Sequence, residues 1–409
     1  MWLYNLGISL YAGGIRLAAL WHGKARLWSE GRRNIFERME AAVRPSDRIV
    51  WVHAASLGEF EQARPIIERL RAEHPEYKIL LTFFSPSGYE IRKNYEGADY
   101  VFYLPADTPS NARRFLDIVH PEIAIFIKYE FWINLLSELR RRKVRSYIVS
   151  AIFRRNSVFF RPYGAMWRQA LETFDTLFVQ NVESKRLLSE IGFDNVVVAG
   201  DTRFDRVAQI AAAAQRVETI ERFRGGGRLF VAGSTWGPDE EILLPLVNAN
   251  PDVKFVIAPH EMDEGRIAHL MRNAKGGAVR YTQCDAATRF DDVQVLVLDT
   301  MGMLSSVYGS ATWAYVGGGF GVGIHHTIEE ATFGLPIAFG PNYGKFKEAR
   351  DMVSLGCAVS VRTAGELAAW FAPLCDDEET LRRASRTAKD YTARNQGATG
   401  IILRSIFNS

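Results

Sequence analysis

Glu59 and Glu130 are the side chains whose positions best suit acid or base chemistry. Each stands at the end of a short apolar, β-branched run, over residues 49–56 and 123–130. A carboxylate at a strand end can take the proton of an attacking hydroxyl group. Glu59 alone is better explained as an acid that complements the dipole of the helix it begins, and Glu130 is also explained by an ion pair with the lysine two residues before it. Two acids at neighbouring strand ends favour a shared site.

Hydroxyl groups mark the end of another apolar run, over residues 78–85. Ser85, Ser87 and Gly88 stand there, at the predicted start of a helix. Side-chain hydroxyls and free backbone N–H groups at a helix start can bind a polar substrate, and they can equally serve only as a helix cap.

A glycine-rich loop over residues 316–330 has the composition of a phosphate site. It runs from an apolar segment into a predicted helix, whose backbone N–H groups and positive end can hold a phosphate. The glycine spacing is not G-x-G-x-x-G and no P-loop lysine follows, which excludes the usual dinucleotide and Walker motifs. His325 and His326 are adjacent and lack a third ligand nearby, so no metal site is expected. Glu329 is placed to bind a ribose diol, although a capping acid would look the same.

Three further polar loops follow apolar runs in the second half of the chain, over residues 233–235, 258–261 and 299–302. Ligands of open parallel sheets bind at the carboxyl ends of the strands, which is where such loops lie. No D-x-D pair occurs near a strand end, which argues against a metal-dependent sugar transfer.

The elements that must position these residues are two series of about seven strands each, alternating with helical patterns. Runs that are hydrophobic on both faces are typical of a buried parallel sheet. The predicted strands cover residues 49–56, 78–85, 100–104, 123–130, 145–151, 176–180 and 196–200, and then 228–233, 254–259, 278–282, 293–298, 311–316, 336–339 and 358–361. The sequence therefore predicts an α/β protein with two doubly wound, Rossmann-like domains facing a central cleft.

The predicted boundaries follow from composition. Residues 1–22 form an N-terminal helix, 23–210 the first domain, 211–225 an Ala-rich and Gly-rich linker, and 226–409 the second domain. The 409 residues carry 50 Lys and Arg against 47 Asp and Glu, a net charge of +3 that argues against nucleic acid as a partner. Three cysteines are too few and too unevenly spaced for a disulfide framework or a zinc site, which indicates a reducing compartment.

Residues 1–22 carry no charge before Arg16 and contain the aromatic residues that prefer a lipid headgroup boundary, Trp2, Tyr4, Tyr11 and Trp21. Basic residues follow this segment. The pattern favours a helix that lies on or dips into a cytoplasmic membrane face. The alternative is a helix packed on its own domain.

The motifs described above, taken in their order along the chain, resemble those of the Kdo transferases. This is a family of two-domain GT-B glycosyltransferases that build the inner core of lipopolysaccharide. The resemblance covers essentially the whole chain. Its most specific parts are His53-x-x-Ser56-x-Gly58-Glu59, Glu130-x-Trp132-x-Asn134, Gln180-Asn181, Gly200-x-x-Arg203-Phe204-Asp205, Asp299-Thr300-Met301-Gly302, His325 through Glu329, Gly340-Pro341-Asn342 and Phe346-Lys347.

The resemblance implies an inverting, metal-independent transfer of 3-deoxy-D-manno-octulosonic acid (Kdo) from CMP-Kdo to a hydroxyl group of the lipid A precursor, lipid IVA. The reaction would take place at the cytoplasmic face of the inner membrane of a Gram-negative cell, in contact with its lipid and with no cofactor. Glu59 would be the catalytic base and Glu130 a second essential acid. The resemblance carries no prediction of an oligomeric state.

The implied binding residues form two sets. Donor binding is assigned to Arg203, Ser234, Pro259, His260, Thr300, Met301, Gly302, Gly319, Gly321, Gly323, His325, Glu329 and Lys347, and acceptor binding to Ser56, Gly58, Ser85, Ser87 and Gly88. The chain departs from the family where Pro-Arg-His becomes Pro259-His260-Glu261, and Arg266 or Arg203 is then expected to replace the missing phosphate-binding arginine.

Two other functions remain open at this point. One is a soluble GT-B relative such as a nucleotide-sugar 2-epimerase, which would share both sheets and the late glycine loop but has no use for an apolar N-terminus. The other is a non-catalytic protein that binds lipid or nucleotide at a membrane, in which the paired acids would be incidental.

Overall fold

The protein is described here from a computed structural model covering residues 1–325 and 327–408. The chain divides into two compact units. The first comprises Met1–Arg206 together with the segment from Gln396 onward, and the second comprises Val207–Asn395.

The first unit is built on one parallel sheet with helices between the strands. Its strands are β1 (Ile49–His53), β2 (Lys78–Phe83), β3 (Tyr100–Tyr103), β4 (Ile123–Ile127), β5 (Arg145–Ala151), β6 (Thr176–Val179) and β7 (Val196–Val198). Its helices are α1 (Trp2–Ala18), α2 (Gly23–Gly31), α3 (Ile35–Ala42), α4 (Leu57–Glu73), α5 (Pro86–Arg92), α6 (Pro109–Val119), α7 (Ile133–Arg142), α8 (Ala165–Leu171), α9 (Val182–Ser189) and, crossing into the second unit, α10 (Thr202–Ala213).

The strand order of this sheet is β3-β2-β1-β4-β5-β6-β7. Every residue of β1 and β4 is buried, because helices cover both faces of the sheet. The order reverses between β1 and β4, which pair in parallel with His53 opposite Phe126. This reversal is the switch point at which doubly wound folds bind their ligands.

The second unit repeats the plan with a different strand order, β10-β11-β9-β8-β12-β13-β14. Its strands are β8 (Leu229–Thr235), β9 (Lys254–Pro259), β10 (Ala278–Arg280), β11 (Val295–Val297), β12 (Trp313–Val316), β13 (Ile337–Phe339) and β14 (Ala358–Ser360). Its helices are α11 (Glu218–Arg224), α12 (Gly237–Ala249), α13 (Glu264–Asn273), α14 (Leu304–Tyr308), α15 (Ile328–Thr332), α16 (Lys347–Leu355), α17 (Ala364–Asp376) and α18 (Glu378–Arg394). The switch point lies between β8 and β12.

The predicted fold class of two doubly wound α/β domains is confirmed. Each of the fourteen strands in the described part of the chain overlaps a predicted run. The boundaries differ in two places. Part of the predicted linker 211–225 is helical, since α11 buries Ile220 and Phe223 in the core of the second unit.

The second difference is the C-terminal segment, which the sequence analysis assigned to the second domain. Helix α19 (Ala398–Phe407) packs on the first unit, because Ile402, Leu403 and Ile406 are buried in the core that includes β1 and α4. Asp205 fixes the start of this helix: its carboxylate accepts hydrogen bonds from the N–H groups of Gly397 (2.6 Å) and Thr399 (2.7 Å).

Helix α1 presents two chemically different faces. On one face the Tyr4 hydroxyl donates to Asp107 (2.6 Å) and Asn5 accepts from Asn134 (2.8 Å), which ties the helix to its own unit. On the other face large apolar side chains are exposed, Leu10 by 67% and Trp2 by 70%. None of the helices in residues 1–325 and 327–408 has the length and apolarity needed to span a membrane.

We predict that Ile402→Ala destabilises the first unit by about 2–5 kcal/mol, because removal of a buried isoleucine side chain leaves a cavity. Urea unfolding followed by circular dichroism measures this loss. Arg404→Ala, at an exposed position of the same helix, is the matched control. An unfolding midpoint equal to that of the control would show that α19 does not contribute to the core of the first unit.

Candidate active site

The two predicted acids come together at the switch point of the first unit. Glu59 lies in the first turn of α4, directly after β1, and Glu130 lies after β4 in the loop that leads to α7. Because β1 and β4 are neighbouring parallel strands, their carboxyl ends meet at one edge of the sheet. The two carboxyl groups are close enough for the charge of Glu130 to raise the pKa of Glu59.

The side chain of Glu59 folds back toward the residues that precede its own helix. Its carboxylate accepts a hydrogen bond of 2.6 Å from the Ala55 N–H. Burial is the main cause that raises the pKa of Glu59 to about 7, followed by the negative charge of Glu130, while the Ala55 hydrogen bond and the charge of Lys128 act in the opposite direction. A carboxyl group with a pKa near neutrality is suited to general-base catalysis.

Glu130 is oriented by a buried imidazole and an indole. The Trp132 indole N–H donates to the Glu130 carboxylate at 2.7 Å, and His53 Nε2 lies 3.2 Å from the same oxygen. The Trp132 indole nitrogen also lies 3.2 Å from Nε2. When Nε2 carries the ring proton, it donates to the Glu130 oxygen. In a neutral ring His53 Nδ1 then accepts from the Thr82 hydroxyl at 2.8 Å, and that hydroxyl oxygen itself accepts from the Trp51 indole N–H at 2.8 Å. These contacts fix the position of the Glu130 carboxyl group.

The residues assigned to acceptor binding lie around the starts of α4 and α5. Ser56 precedes α4 and Gly58 is exposed in its first turn. Ser85 caps α5, where its hydroxyl oxygen accepts from the Ser87 N–H at 3.3 Å. Gly88 is buried, and a Cβ atom there would stand 2.3 Å from the Phe83 ring, so packing alone already requires this glycine. The acceptor role of all five residues stays a prediction.

Three rings lie in a row near the switch point of the second unit. Trp236 precedes α12 after β8, His260 follows β9 and His325 follows β12. The ring centroids of Trp236 and His260 are 4.7 Å apart, and those of His260 and His325 are 4.8 Å apart. The strand order thus brings together the predicted residues Ser234, Pro259, His260 and His325.

Asp239 anchors the glycine-rich loop. This buried carboxylate in the first turn of α12 accepts from the N–H groups of Trp236 (2.8 Å) and Gly318 (3.0 Å), and from the Tyr315 hydroxyl (2.7 Å). Burial raises the pKa of Asp239, and the three donors oppose that rise. Sequence analysis missed Asp239, although an acid three residues after a helix N-cap is a recognisable signal.

The remaining predicted donor residues follow β11 and β12. Gly319 touches the Gly340 backbone so closely that a Cβ atom would stand 2.5 Å from the Gly340 Cα atom. Gly302 and Gly323 have positive φ values of 83° and 139°. The other members of this group are Thr300, the exposed Met301, Gly321 and, in the first turn of α15, Glu329.

The cations expected to bind a phosphate are engaged by carboxylates. Arg203 belongs to the first unit, where it pairs with Asp201 at 2.8 Å. Arg266 pairs with Glu240 at 2.8 Å. Lys347 pairs with the aspartate one turn later in α16.

No group of three or more His, Cys, Asp or Glu side chains able to hold a metal ion occurs in residues 1–325 and 327–408. His326, which the sequence analysis considered together with His325, lies outside the described residues. The prediction that no metal is bound stays a prediction.

Comparison with known proteins shows similarity to one family of enzymes. The model of the 3-deoxy-D-manno-octulosonic-acid transferases (kdotransferases) matches residues 32–206. A 3-deoxy-D-manno-octulosonic acid transferase of Haemophilus influenzae is 25% identical over 378 residues, which cover 88% of this chain and 86% of the relative. That of Bordetella pertussis is 28% identical over 373 residues, covering 87% and 86%. This chain is similar to the Kdo transferases over most of its length.

A solved structure of another protein is similar to this chain in fold. UDP-GlcNAc 2-epimerase from Neisseria meningitidis matches with a TM-score of 0.63 over 88% of this chain and 100% of the epimerase, at 15% sequence identity. A likeness at this identity concerns the fold, which is the GT-B architecture.

We predict that the Glu59 carboxyl group titrates near pH 7 and that its two charged neighbours move this pKa in opposite directions. Glu130→Gln removes a negative charge and should lower the pKa of Glu59, whereas Lys128→Gln removes a positive charge and should raise it. Carboxyl ¹³C NMR of protein labelled at glutamate measures the midpoints. Equal midpoints in the parent and both variants would show that these charges do not act on Glu59.

Proposed function

We propose that the protein transfers Kdo from CMP-Kdo to the lipid A precursor, lipid IVA, in lipopolysaccharide biosynthesis, by an inverting and metal-independent reaction with Glu59 as the general base. The match to the Kdo transferase model over residues 32–206 and the similarity to Kdo transferases over most of the chain support Kdo transfer. The observation that carries the assignment of the base is the pKa of about 7 of Glu59, beside Glu130 at a strand-order switch point.

In this mechanism the acceptor hydroxyl group attacks the anomeric carbon of Kdo while its proton passes to the Glu59 carboxylate. Base assistance of this kind contributes a factor of about 10²–10⁴ to the rate. At neutral pH a large fraction of Glu59 is ionised and ready to accept a proton. Burial is the main cause that keeps the pKa of Glu59 above its ordinary value, and Glu130, fixed by His53 and Trp132, adds a negative charge that acts in the same direction.

The second unit would hold the CMP group. Backbone N–H groups of the glycine-rich loop and the imidazoles of His260 and His325 are donors suited to a phosphate. Glu329 would accept hydrogen bonds from the ribose diol. Charge that develops on the leaving CMP would be stabilised by these fixed donors without a metal ion.

We place the protein on the cytoplasmic face of the inner membrane. The exposed face of α1 carries Trp2, Leu3, Leu6, Leu10 and Leu17, and an apolar helix face of this kind can enter the boundary between headgroups and acyl chains. Such an attachment would keep the active site near an acceptor whose acyl chains stay in the bilayer. The same face argues against a soluble 2-epimerase, which would gain nothing from it.

We predict that Glu59→Gln lowers Kdo transfer by about 10²–10⁴-fold and leaves CMP binding unchanged, since the amide keeps the size of the side chain but cannot accept the proton. Purified protein is incubated with CMP-Kdo and lipid IVA in excess EDTA, the acceptor mass is followed, and CMP binding is measured by calorimetry. Glu73→Gln, at the far end of α4, is the matched control.

Near-normal turnover by the folded Glu59→Gln protein would contradict the assignment of the base. No mass increase with the parent protein would contradict Kdo transfer to this acceptor. A requirement for added Mg²⁺ or Mn²⁺ would contradict a metal-independent reaction.

We also predict that changing Leu3, Leu10 and Leu17 together to Gln lowers partitioning into lipid vesicles by more than about tenfold, because full burial of a leucine side chain stabilises by about 1.5–3 kcal/mol. These positions leave the bonds of Tyr4 and Asn5 intact. The matched control changes three exposed apolar residues elsewhere, Ile91, Val182 and Leu355. Equal sedimentation of the two triple variants with vesicles would refute a membrane role for α1.

A further inference from the structure

Helix α1 is bonded to the start of α7, next to the β4–α7 loop that carries Glu130. The Tyr4 hydroxyl donates to Asp107 at 2.6 Å and accepts from the Ile133 N–H at 3.3 Å. Ile133 directly follows Trp132, whose indole N–H donates to the Glu130 carboxylate at 2.7 Å. One side chain of α1 therefore holds the backbone beside the indole that orients this acid.

Asp107 binds the two residues that follow Ile133. Its carboxylate is 1% exposed and accepts from the N–H groups of Asn134 and Leu135, both at 2.9 Å. These N–H groups belong to the first turn of α7, where a helix offers them no carbonyl partner of its own. The Asp107 oxygen that accepts from Asn134 also accepts from the Tyr4 hydroxyl. Tyr4 thus takes part in the bonds that fix three successive residues.

A row of aromatic rings connects α1 with Trp132 by a separate route. Tyr11 of α1 stacks on Phe84, with ring centroids 6.3 Å apart and ring planes 20° apart. The ring centroid of Phe84 in turn lies 4.5 Å from that of Trp132. Contacts that begin at α1 therefore reach the ring of Trp132 as well as the backbone next to it.

We propose that Tyr4 is a positioning residue for the active site: the bonds of its hydroxyl group at the start of α7 hold Trp132 where the indole fixes the Glu130 carboxylate. This inference rests on the proposed function, in which Glu59 is the base and Glu130 acts on it. The helix that we place on the lipid surface then also sets the geometry of the catalytic pair.

Removal of the Tyr4 hydroxyl group would leave two polar groups short of a partner. The Ile133 N–H would lose its acceptor, and Asp107 would lose one of the three donors to its carboxylate. Water would replace the missing hydroxyl group and loosen the β4–α7 loop. A Glu130 carboxylate that turns toward solvent acts more weakly on Glu59, because water screens its charge.

The substitution Tyr4→Phe tests the inference, because it removes the hydroxyl group and keeps the ring that packs α1 on its unit. The Trp132 indole proton reports on the bond to Glu130, since a strong bond to a carboxylate shifts the proton signal downfield and slows its exchange with water. Trp132→Phe identifies this signal in ¹H–¹⁵N spectra by its loss. In Tyr4→Phe the signal should move upfield and exchange about two- to tenfold faster, the range expected for loss of one hydrogen bond.

The pKa of Glu59 gives a signature that a merely structural role of Tyr4 would not produce. In the parent background Tyr4→Phe should lower the midpoint of Glu59, measured by carboxyl ¹³C NMR, by no more than Glu130→Gln does. In the Glu130→Gln background it should leave the midpoint unchanged, because the charge through which Tyr4 acts is already absent. Lys128, the cation that also acts on Glu59, is kept in all four proteins.

The pH profile of Kdo transfer should follow the same shift. Transfer needs the ionised form of Glu59, so the rate rises with pH through the pKa of this group. A lower pKa in Tyr4→Phe should therefore move the acid limb of the profile to lower pH.

Tyr100→Phe is the matched control. The Tyr100 hydroxyl also donates to an aspartate at 2.6 Å, but its partner Asp47 precedes β1, at the amino-terminal edge of the same sheet. This substitution should leave the Trp132 signal and the midpoint of Glu59 unchanged.

An unchanged Trp132 signal in Tyr4→Phe, or the same changes in Tyr100→Phe, would overturn the inference. So would a Glu59 midpoint that Tyr4→Phe leaves unchanged in the parent background or lowers equally in the Glu130→Gln background. A parent protein that transfers no Kdo to lipid IVA would overturn the proposed function instead, because neither NMR measurement depends on transfer. An altered Trp132 signal, together with a midpoint that falls only when Glu130 is present, would support the inference.

Discussion

Parallel pairing of every strand is the constraint on which both sites depend. In a wholly parallel sheet all carboxyl ends lie at one edge, and the residues that follow neighbouring strands meet there whatever their separation in sequence. Glu59 and Glu130 are 71 residues apart in sequence and come together only because β1 pairs with β4. The same rule gathers the ends of β8, β9 and β12 in the second unit.

The loops at these edges leave backbone N–H groups that the sheets do not use, and buried carboxylates satisfy several of them. Asp107 accepts from the N–H groups of Asn134 and Leu135 at the start of α7, and Asp239 holds the Gly318 N–H. A carboxylate bound by two or three donors can stay buried, because each donor offsets part of the cost of desolvation. Glu330 in α15 is buried as well, yet within the described part of the chain its Oε2 atom has no hydrogen-bond partner.

Much of the fold could be predicted from the sequence because buried parallel strands appear as continuous apolar runs, such as residues 123–127. The positions of Glu59 and Glu130 after such runs were equally visible. The network of His53, Thr82 and Trp51 could not be predicted, since it depends on which strands pair and which tautomer the partners select. The placement of α19 on the first unit was missed because an amphipathic helix carries no signal of the sheet that it covers.

The return of α19 to the first unit has a consequence for synthesis of the protein. A ribosome completes all seven strands of the first sheet long before it reaches residue 396, and during that interval the apolar surface that Ile402, Leu403 and Ile406 will cover faces water. Completion of the first unit must therefore wait for residues 398–407. A nascent chain in this state exposes an apolar patch that chaperones recognise, and a stop codon before residue 398 would leave the core of the first unit uncovered.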